Sequence, residues 1–514
     1  MIDANDLIFS ANLDDNNRVA IMNFKESGHI SVTVEDQAFD CSGEDNCPSE
    51  GGALKGEFEV YSRPWKIAMC DVADSTATIA NPATTTAEPG FLAAGAEFDV
   101  TYRPIVHSDS RNGATNECAY PVTGNYPLDN GPLELSTRVV YPSDGESGVI
   151  SPAVSNFVPS DSLGKTVRHR WTQAGTLELE TNASYLNLAL EPYQQNIGRF
   201  YPEFFTIEQN AWNDPATGVG DQGFTYMNQP FESVTATVGA FNVQGRPVSN
   251  YGLFAEELQA VFVMDNQDRL ENADVASLAT QSAYQGHRWV LDSNEIVWAK
   301  LSDLTPDGPF NYFSGQSIDV SLAVSEPVVG DPVQFKLSAS DTNGTTTQVL
   351  PDDQPRLVFG RYDLTDVGGV EGSTLTVPLQ VQYWNGSRFV TNPDDSFSIF
   401  DGAHYCSEMV WPAEGESGDN VRLSGNGTLD QGTSFTLTAT QTVAAREQVE
   451  LWLRLDDSAS STDCNGTNNG QTWLMYDWDQ DGVEEENPSA VVTFGIFRGN
   501  DRVIFRGESG LTGQ

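Results

Sequence analysis

The chain has 514 residues, and its 73 acidic residues outnumber its 26 lysines and arginines, which gives a formal net charge of −47. Nucleic acid and anionic membrane surfaces are excluded as partners, because both require a basic protein face. The acidic residues are dispersed along the chain, as is typical of a solvated surface suited to salty surroundings or to divalent cations.

Apolar and polar residues alternate with a period of two along most of the chain. The alternation is clear in residues 318–324, 375–383 and 449–455. Glycine, proline, asparagine and aspartate interrupt these runs at short intervals. We therefore predict an all-β chain of tandem Ig-like β-sandwich domains in an elongated multi-domain arrangement.

A weak internal repeat suggests the domain organisation. The run that begins at Gly28 is echoed by the run that begins at Gly175, and the Gly56–Phe58 segment is echoed by Gly198–Phe200. We predict a first β-sandwich unit in 1–160, a second in 161–319 and a distinct C-terminal β-sandwich module in 320–514. Coincidence between unrelated sandwiches is the alternative explanation.

The six cysteines fall into couples that are close in sequence or lie within one predicted unit. None has the spacing of a zinc site or of a redox motif. Disulfides formed in an oxidising compartment fit best. The predicted pairs are Cys41–Cys47, Cys70–Cys118 and Cys406–Cys464.

The chain has no apolar run of about 18 residues, so no transmembrane helix is expected. Its first residues lack the basic region and apolar core of a signal peptide. Together with the disulfides, this predicts a fragment of an exported protein that lacks its signal peptide.

Motifs for catalysis are missing from the sequence. The spelling Gly218-x-Gly220-x-x-Gly223 leads into a strand rather than a helix, so it indicates a glycine-rich turn and not a dinucleotide site. The five histidines are isolated in sequence, and no nucleophile elbow or zinc-protease motif occurs. We therefore predict that the protein is not an enzyme and has no catalytic residues. A hydrolase remains the rival if a cleft gathers a histidine or paired carboxylates.

Trp384 and Trp452 are candidates for an exposed, carbohydrate-stacking platform. Trp452 lies on the polar phase of its strand, and Trp384 precedes an Asn-Gly turn. The simpler interpretation is that these tryptophans pack on the sheets. A platform would favour an alternative function, a carbohydrate-binding β-sandwich appendage of a polysaccharide-active enzyme.

The strongest candidate site is an oxygen cage near the C-terminus. Three aspartates at alternate positions, followed by Gly482, are typical of a Ca²⁺ loop. Pro488 stands where a helical EF-hand carries its closing glutamate, and in a shorter loop Glu485 or Glu486 could supply the closing carboxylate instead. An acidic hairpin capped by Asx-turns is the alternative. The predicted metal ligands, with Ca²⁺ as the only cofactor, are Asp477, Asp479, Asp481, the carbonyl of Val483, and Glu485.

Several aromatic and glycine-containing blocks in the chain carry a family resemblance. They are Ile197–Pro202, Tyr383–Gly386, Tyr476–Asp479 and Phe494–Arg502. With these blocks, residues 170–514 resemble the MshQ-like proteins, which are encoded with the mannose-sensitive haemagglutinin (MSHA) type IV pilus. The resemblance implies an exported multi-domain protein associated with pilus biogenesis and surface attachment. The lectin-like region of longer members has no match here, and the family supplies no catalytic residues.

We therefore expect an exported, non-catalytic structural or adhesive protein associated with MSHA-type pilus biogenesis, from a marine bacterium. It would act at the cell surface or outside the cell, or in the periplasm or at the outer membrane. The expected partners are pilus components or other cell-surface proteins, and surface glycans, with no nucleic acid and no membrane insertion.

Overall fold

The computed structural model describes residues 7–10, 19–22, 24–36, 54–86, 89–107, 116–217, 220–265, 269–271, 288–293, 296–300, 306–311, 320–350, 355–412, 414–457, 463–480 and 486–495. Within these residues no helix is long and apolar enough to cross a membrane. The predicted all-β fold of tandem Ig-like β-sandwiches is confirmed, and three sandwiches follow one another along the chain.

Two hairpins, β1–β2 and β3–β4, precede the first sandwich. The strands before residue 160 are β1 (Leu7–Ser10), β2 (Val19–Met22), β3 (Gly28–Asp36), β4 (Leu54–Ser62), β5 (Lys66–Asp74), β6 (Leu92–Ala93), β7 (Glu97–Ile105), β8 (Pro132–Tyr141), β9 (Ile150–Ser151) and β10 (Val154–Asn156). A single helical turn, α1 (Asn125–Leu128), lies between β7 and β8.

The remaining strands of the first sandwich are β11 (Lys165–Trp171), β12 (Gly175–Asn182), β13 (Ser184–Tyr185), β14 (Leu188–Ala189) and β15 (Tyr193–Tyr201). One sheet has the order β10-β8-β12-β15-β6, and the other has the order β5-β7-β11-β9. The alternation of β7 sends Phe98 inward, where it meets Phe200 of β15 in the other sheet, with ring centroids 5.6 Å apart.

The second sandwich is built from β16 (Phe204–Asn213), β17 (Ala216–Thr217), β18 (Gly220–Asp221), β19 (Thr225–Tyr226), β20 (Ser233–Phe241), β21 (Val261–Asp265), β22 (Leu270–Glu271), β23 (Arg288–Ser293), β24 (Val297–Trp298), β25 (Ser321–Ser325) and β26 (Thr347–Val349). Its main sheets have the orders β16-β20-β23 and β21-β25-β26. Phe205 of the first sheet packs edge-on against Phe262 of the second, with 5.2 Å between the ring centroids.

The third sandwich contains β27 (Leu357–Val358), β28 (Gly360–Leu364), β29 (Val367–Gly369), β30 (Thr374–Thr376), β31 (Leu379–Trp384), β32 (Phe389–Thr391), β33 (Ile399–Asp401), β34 (Tyr405–Trp411), β35 (Val421–Ser424), β36 (Asn426–Thr428), β37 (Thr433–Ser434), β38 (Thr438–Gln441), β39 (Glu447–Leu453), β40 (Asp463–Asn465) and β41 (Ser489–Phe494). Its largest sheet has the order β29-β41-β39-β34-β40. The inward residues of β31 and β39 share one buried core.

Strand pairing crosses the unit boundaries predicted at residues 160 and 320. Residue 160 lies between β10 and β11, which both belong to the first sandwich. Residue 320 immediately precedes β25, which pairs with β21 of the second sandwich. The physical reason is that each sandwich is completed by strands that come late in sequence, and the run that begins at Gly175 forms β12, which pairs with β8.

A buried ion pair joins the first and second sandwiches. Arg199, in β15, is fully buried and its Nη2 donates to both carboxylate oxygens of Asp331, at 3.1 and 2.9 Å. Asp331 lies after β25 and is 1% exposed. The same carboxylate accepts the Gly90 backbone N–H at 2.6 Å, and Arg199 Nη1 donates to the Thr85 carbonyl at 3.2 Å. Each charge is therefore held by a partner on another segment.

A second buried joint links the second and third sandwiches. Strand β19 pairs in parallel with β27, which places Tyr226 inside the core of the third sandwich. The Tyr226 hydroxyl donates to Asp395 Oδ2 at 2.7 Å and accepts from Asn392 Nδ2 at 2.9 Å. Burial holds the pKa of Tyr226 well above its ordinary value, so the hydroxyl keeps its proton and remains a donor.

We expect Asp331→Ala to lower the free energy of unfolding by about 3–5 kcal/mol, because it leaves the buried Arg199 charge without its partner. Urea unfolding followed by tryptophan fluorescence measures the loss. Glu178→Ala is the control, since Glu178 pairs with Arg138 on the exposed sheet face and should cost about 1 kcal/mol or less. A double variant, Arg199→Met with Asp331→Leu, should recover most of the lost free energy of unfolding. Equal effects of Asp331→Ala and Glu178→Ala would contradict a stabilising role for the buried ion pair.

The buried histidine of the first sandwich predicts a pH dependence. His169 is 1% exposed, its Nε2 lies 2.8 Å from the Tyr102 hydroxyl, and burial lowers its pKa to about 4. The unfolded chain binds this proton near pH 6.5, so stability is intact above that pH and falls as the pH drops from about 6.5 to about 4, by up to about 3 kcal/mol.

Comparison of unfolding midpoints at pH 7.5 and pH 4.5 tests this effect. His169→Gln should reduce the difference between the two midpoints, whereas His29→Gln, at a half-exposed position, should leave it unchanged. An unchanged difference in His169→Gln would show that the carboxylates alone account for the acid sensitivity.

Candidate metal-binding loop

The predicted acidic cage lies in a loop closed by a two-residue bridge. The backbone N–H of Tyr476 donates to the Glu486 carbonyl at 3.2 Å, and the reverse bond measures 2.9 Å. Strand β41 follows the loop, and a 3-10 turn at Thr472–Leu474 precedes it. The loop is therefore fixed at both ends although only one flanking element is a strand.

Two of the predicted ligands, Asp477 and Asp479, lie close to Glu486, which was the alternative to Glu485 as the closing carboxylate. One carboxylate oxygen from each of Asp477, Asp479 and Glu486 lies within 4.8 Å of the others. Asp477 is 2% exposed, Asp479 is exposed and Glu486 is half-buried. The predicted ligands Asp481, Val483 and Glu485 lie outside the described residues.

The spacing and chemistry of the three carboxylates fit a hard divalent cation. Oxygens that bind Ca²⁺ at about 2.3–2.6 Å lie within about 5 Å of each other across the ion, which is the spacing found here. Burial raises the pKa of Glu486, while the Trp478 backbone N–H, which donates to its Oε2 at 2.7 Å, opposes the rise. Asp479 and Asp477 raise that pKa further by charge repulsion, which a bound cation would relieve.

An arginine–aromatic stack positions the acidic loop. The Arg361 guanidinium lies 3.8 Å from the ring centroid of Phe389, 4.6 Å from that of Tyr476 and 4.5 Å from that of Trp478. Because Tyr476 and Trp478 alternate with Asp477 in the chain, fixing the aromatic residues fixes the direction of the buried carboxylate. Sequence analysis missed Arg361, since its contact with residues more than a hundred positions away is a tertiary feature.

Two of the three predicted disulfides are present. Cys70–Cys118 ties β5 to the 3-10 turn after β7, with 5.8 Å between the Cα atoms. Cys406–Cys464 joins directly paired residues of β34 and β40, with Cα atoms 4.0 Å apart. Cys41 and Cys47 lie outside the described residues.

The two candidate tryptophans do not form an exposed platform. Trp384 is half-buried and packs against Phe389, with ring centroids 5.4 Å apart. Trp452 is half-buried between its neighbours in β34 and β41. Trp384 also packs against the buried core that the first two sandwiches share.

Three of the histidines that lie in the described residues have short polar contacts. His169 is buried, His29 Nε2 lies 3.2 Å from Glu59, and His404 Nδ1 accepts the Thr467 backbone N–H at 2.8 Å. These contacts lie in different parts of the fold.

Solved structures similar to this chain are tandem Ig or fibronectin arrays of low identity. The Escherichia coli adhesin FdeC is 11% identical, with a TM-score of 0.29, over 78% of this chain and 98% of the other. The I9–I11 tandem of titin is 10% identical, with a TM-score of 0.21, over 78% and 94%. The FN1–FN3 domains of chicken CNTN1 are 8% identical, with a TM-score of 0.22, over 71% and 92%. TM-scores of this size assign no function.

No curated protein matches the sequence. Three family models match it in chain order: the second domain of DUF6701 at residues 63–167, the third domain at 174–349 and the fourth domain at 358–509. Together they span most of the chain, and the gap between the last two coincides with the start of the third sandwich. The chain therefore belongs to the DUF6701 family.

Proposed function

We propose that this protein is an exported, non-catalytic adhesive protein that supports surface attachment in association with an MSHA-type type IV pilus. The observation that carries the adhesive part is the series of three β-sandwiches joined by buried polar contacts at Arg199–Asp331 and Tyr226–Asp395. Such joints suit a protein that must hold its modules in register between two attachment points.

Export is supported by the two disulfides. Each ties strands or turns within one sandwich, and such bonds persist in oxidising compartments outside the cytosol. A disulfide of this loop length contributes about 2–4 kcal/mol, chiefly by restricting the unfolded chain. The charge of −47 keeps the surface solvated, which suits a protein exposed to the surroundings of the cell.

The link to the pilus rests on the aromatic and glycine-containing sequence blocks shared with MshQ-like proteins. Two of these blocks have structural roles here. Tyr383–Gly386 ends β31 and begins its hairpin, and Tyr476–Asp479 supplies both the arginine stack and the acidic cluster. The pilus components or other cell-surface proteins that would contact the chain are part of this proposal.

Deletion of the gene should lower both surface attachment and the number of pili per cell. Attachment is measured by crystal-violet retention under flow, and pili are counted by electron microscopy. The wild-type gene and a Glu178→Ala gene should restore both. An Asp331→Ala gene, whose product lacks the ion pair between the first and second sandwiches, should restore neither fully. Equal export of the variants is checked by immunoblot.

This experiment tests the adhesive function and the role in pilus biogenesis separately. Unchanged attachment in the deletion strain would contradict the adhesive function. Reduced attachment with an unchanged number of pili would keep the adhesive function and remove the role in pilus biogenesis. Hydrolytic turnover abolished by one acidic substitution would contradict the non-catalytic assignment.

We further propose that the Asp477, Asp479 and Glu486 cluster holds Ca²⁺ and that the ion stabilises the third sandwich. The convergence of three carboxylates within 4.8 Å of one another supports this site. An ion that binds only the folded chain adds RT ln(1 + [L]/Kd), which is about 2.7 kcal/mol at about 100-fold saturation. Extracellular Ca²⁺ sites have dissociation constants of about 0.1–1 mM, a range that seawater supplies.

Melting curves of the full chain in millimolar Ca²⁺ and in chelator test the cation. We expect Ca²⁺ to raise the midpoint of the transition that contains the third sandwich by a few degrees. Asp479→Ala should abolish the shift, and Asp430→Ala, an exposed acidic residue of the same sandwich, should retain it. A full shift in Asp479→Ala would reduce the cluster to an acidic turn.

A further inference from the structure

A pocket of about 690 Å³ lies where the β3–β4 hairpin meets the first sandwich. Its volume is within the usual range of small-molecule sites, about 300–1,000 Å³. Three separate segments line it: the start of β3, the turn that contains α1, and the β13–β14 hairpin. The polar side chains of the lining are Ser27, His29, Asn125, Asp129, Ser184 and Tyr185.

Hydrogen bonds between the segments fix the walls of the pocket. Asn125 Nδ2 donates to the Ser27 carbonyl at 3.0 Å, and the Asn125 backbone N–H donates to Glu26 Oε2 at 3.1 Å. The Tyr185 hydroxyl donates to Asp129 Oδ2. The hairpin, the helical turn and the β13–β14 hairpin are therefore held at fixed positions around the space.

The polar groups of the walls remain able to bind ligand hydroxyls. Burial, reinforced by Asp129, raises the pKa of Tyr185 to about 12, so this hydroxyl stays protonated at neutral pH. A carboxylate offers about four acceptor positions, so Asp129 keeps acceptor capacity beyond the one bond from Tyr185. The half-exposed His29 and the exposed Ser184 add further donors and acceptors at the rim.

Apolar groups lie between these polar ones. Leu128 is 55% exposed and Leu186 is 40% exposed, and both line the pocket together with Pro132. Alternation of hydrogen-bonding groups with small apolar patches complements a sugar ring, which carries hydroxyls at its edge and C–H groups on its faces.

The charge around the pocket selects against anions. Asp129 is in the wall, Glu26 lies behind Asn125, and Glu59 lies 3.2 Å from His29. In a chain of net charge −47, these carboxylates repel a sialylated or phosphorylated ligand.

We propose that this pocket binds a neutral saccharide of one or two rings, with Asp129 and Asn125 as its hydrogen-bonding anchors. The inference rests on the proposed adhesive function and gives it a ligand class. It places sugar recognition at the junction of the hairpin and the first sandwich, far in sequence from the tryptophans of the third sandwich.

Saturation-transfer NMR and calorimetry of the full chain against neutral methyl glycosides and disaccharides test the proposal. Sialyllactose and glucosamine serve as the anionic and cationic probes. At least one neutral sugar should bind, and Asp129→Asn should weaken it by about tenfold, as expected for one lost charge-assisted hydrogen bond. Ser184→Trp, at an exposed position of the rim, should abolish binding by filling the pocket, and Asp144→Asn, outside the pocket, should leave it unchanged.

Circular-dichroism melting of each variant shows whether it is folded, and Ser184→Trp decides the outcome if Asp129→Asn is unstable. The proposal is overturned if no neutral sugar binds, if only glucosamine binds, or if Ser184→Trp binds like the wild type. Failure of the sugar panel while the attachment defect of the deletion strain persists would overturn this pocket alone and leave the adhesive function in place.

Discussion

The arrangement of the modules depends on polar groups that are buried where one sandwich meets the next. Taking the Arg199 guanidinium and the Asp331 carboxylate out of water is costly, and the cost is offset only when both are present and fully hydrogen-bonded. Such a pair adds little net stability compared with an apolar contact. It does fix geometry, because a shift of about 1 Å leaves a buried charge without its partner. The ion pair therefore fixes the relative position of the two sandwiches more than it adds to the free energy of unfolding.

The same reasoning applies to the joint between the second and third sandwiches. Tyr226 fills an apolar core with its ring, while its hydroxyl completes the hydrogen bonding of the buried Asp395 carboxylate. The Ser398 hydroxyl and backbone N–H also donate to this carboxylate, at 2.6 and 2.9 Å. These donors replace the hydrogen bonds to water that the carboxylate loses in the core. One tyrosine thus contributes both the hydrophobic and the polar part of the contact.

The many acidic residues form a candidate binding site only where the fold brings several carboxylates close together. In the part of the chain that the structure describes, most carboxylates lie at exposed or half-buried positions, where screening keeps their repulsion small. In the loop after Trp473, the alternation of aromatic and acidic residues turns the rings toward Arg361 and the carboxylates toward each other. The positive charge of Arg361 lies on the aromatic side of the loop and offsets part of the negative charge there. On the acidic side the three carboxylates repel one another, and a bound cation would relieve that repulsion. The pocket beside the β3–β4 hairpin uses carboxylates differently, as hydrogen-bond acceptors among neutral groups.

Period-two alternation and turn residues were enough to predict an all-β chain of sandwiches, because these patterns are local. Within each strand, the alternation of apolar and polar residues shows which face is buried. Proximity in sequence also predicted the disulfides Cys70–Cys118 and Cys406–Cys464, and the spacing of Asp477 and Asp479 marked the acidic loop. Only the tertiary structure decided which strands complete each sandwich, that Glu486 joins the two aspartates, and that Arg361, Arg199 and Tyr226 hold the loop and the joints. These contacts link residues far apart in the chain, and strand pairing and burial, which bring them together, leave no periodic signal in the sequence.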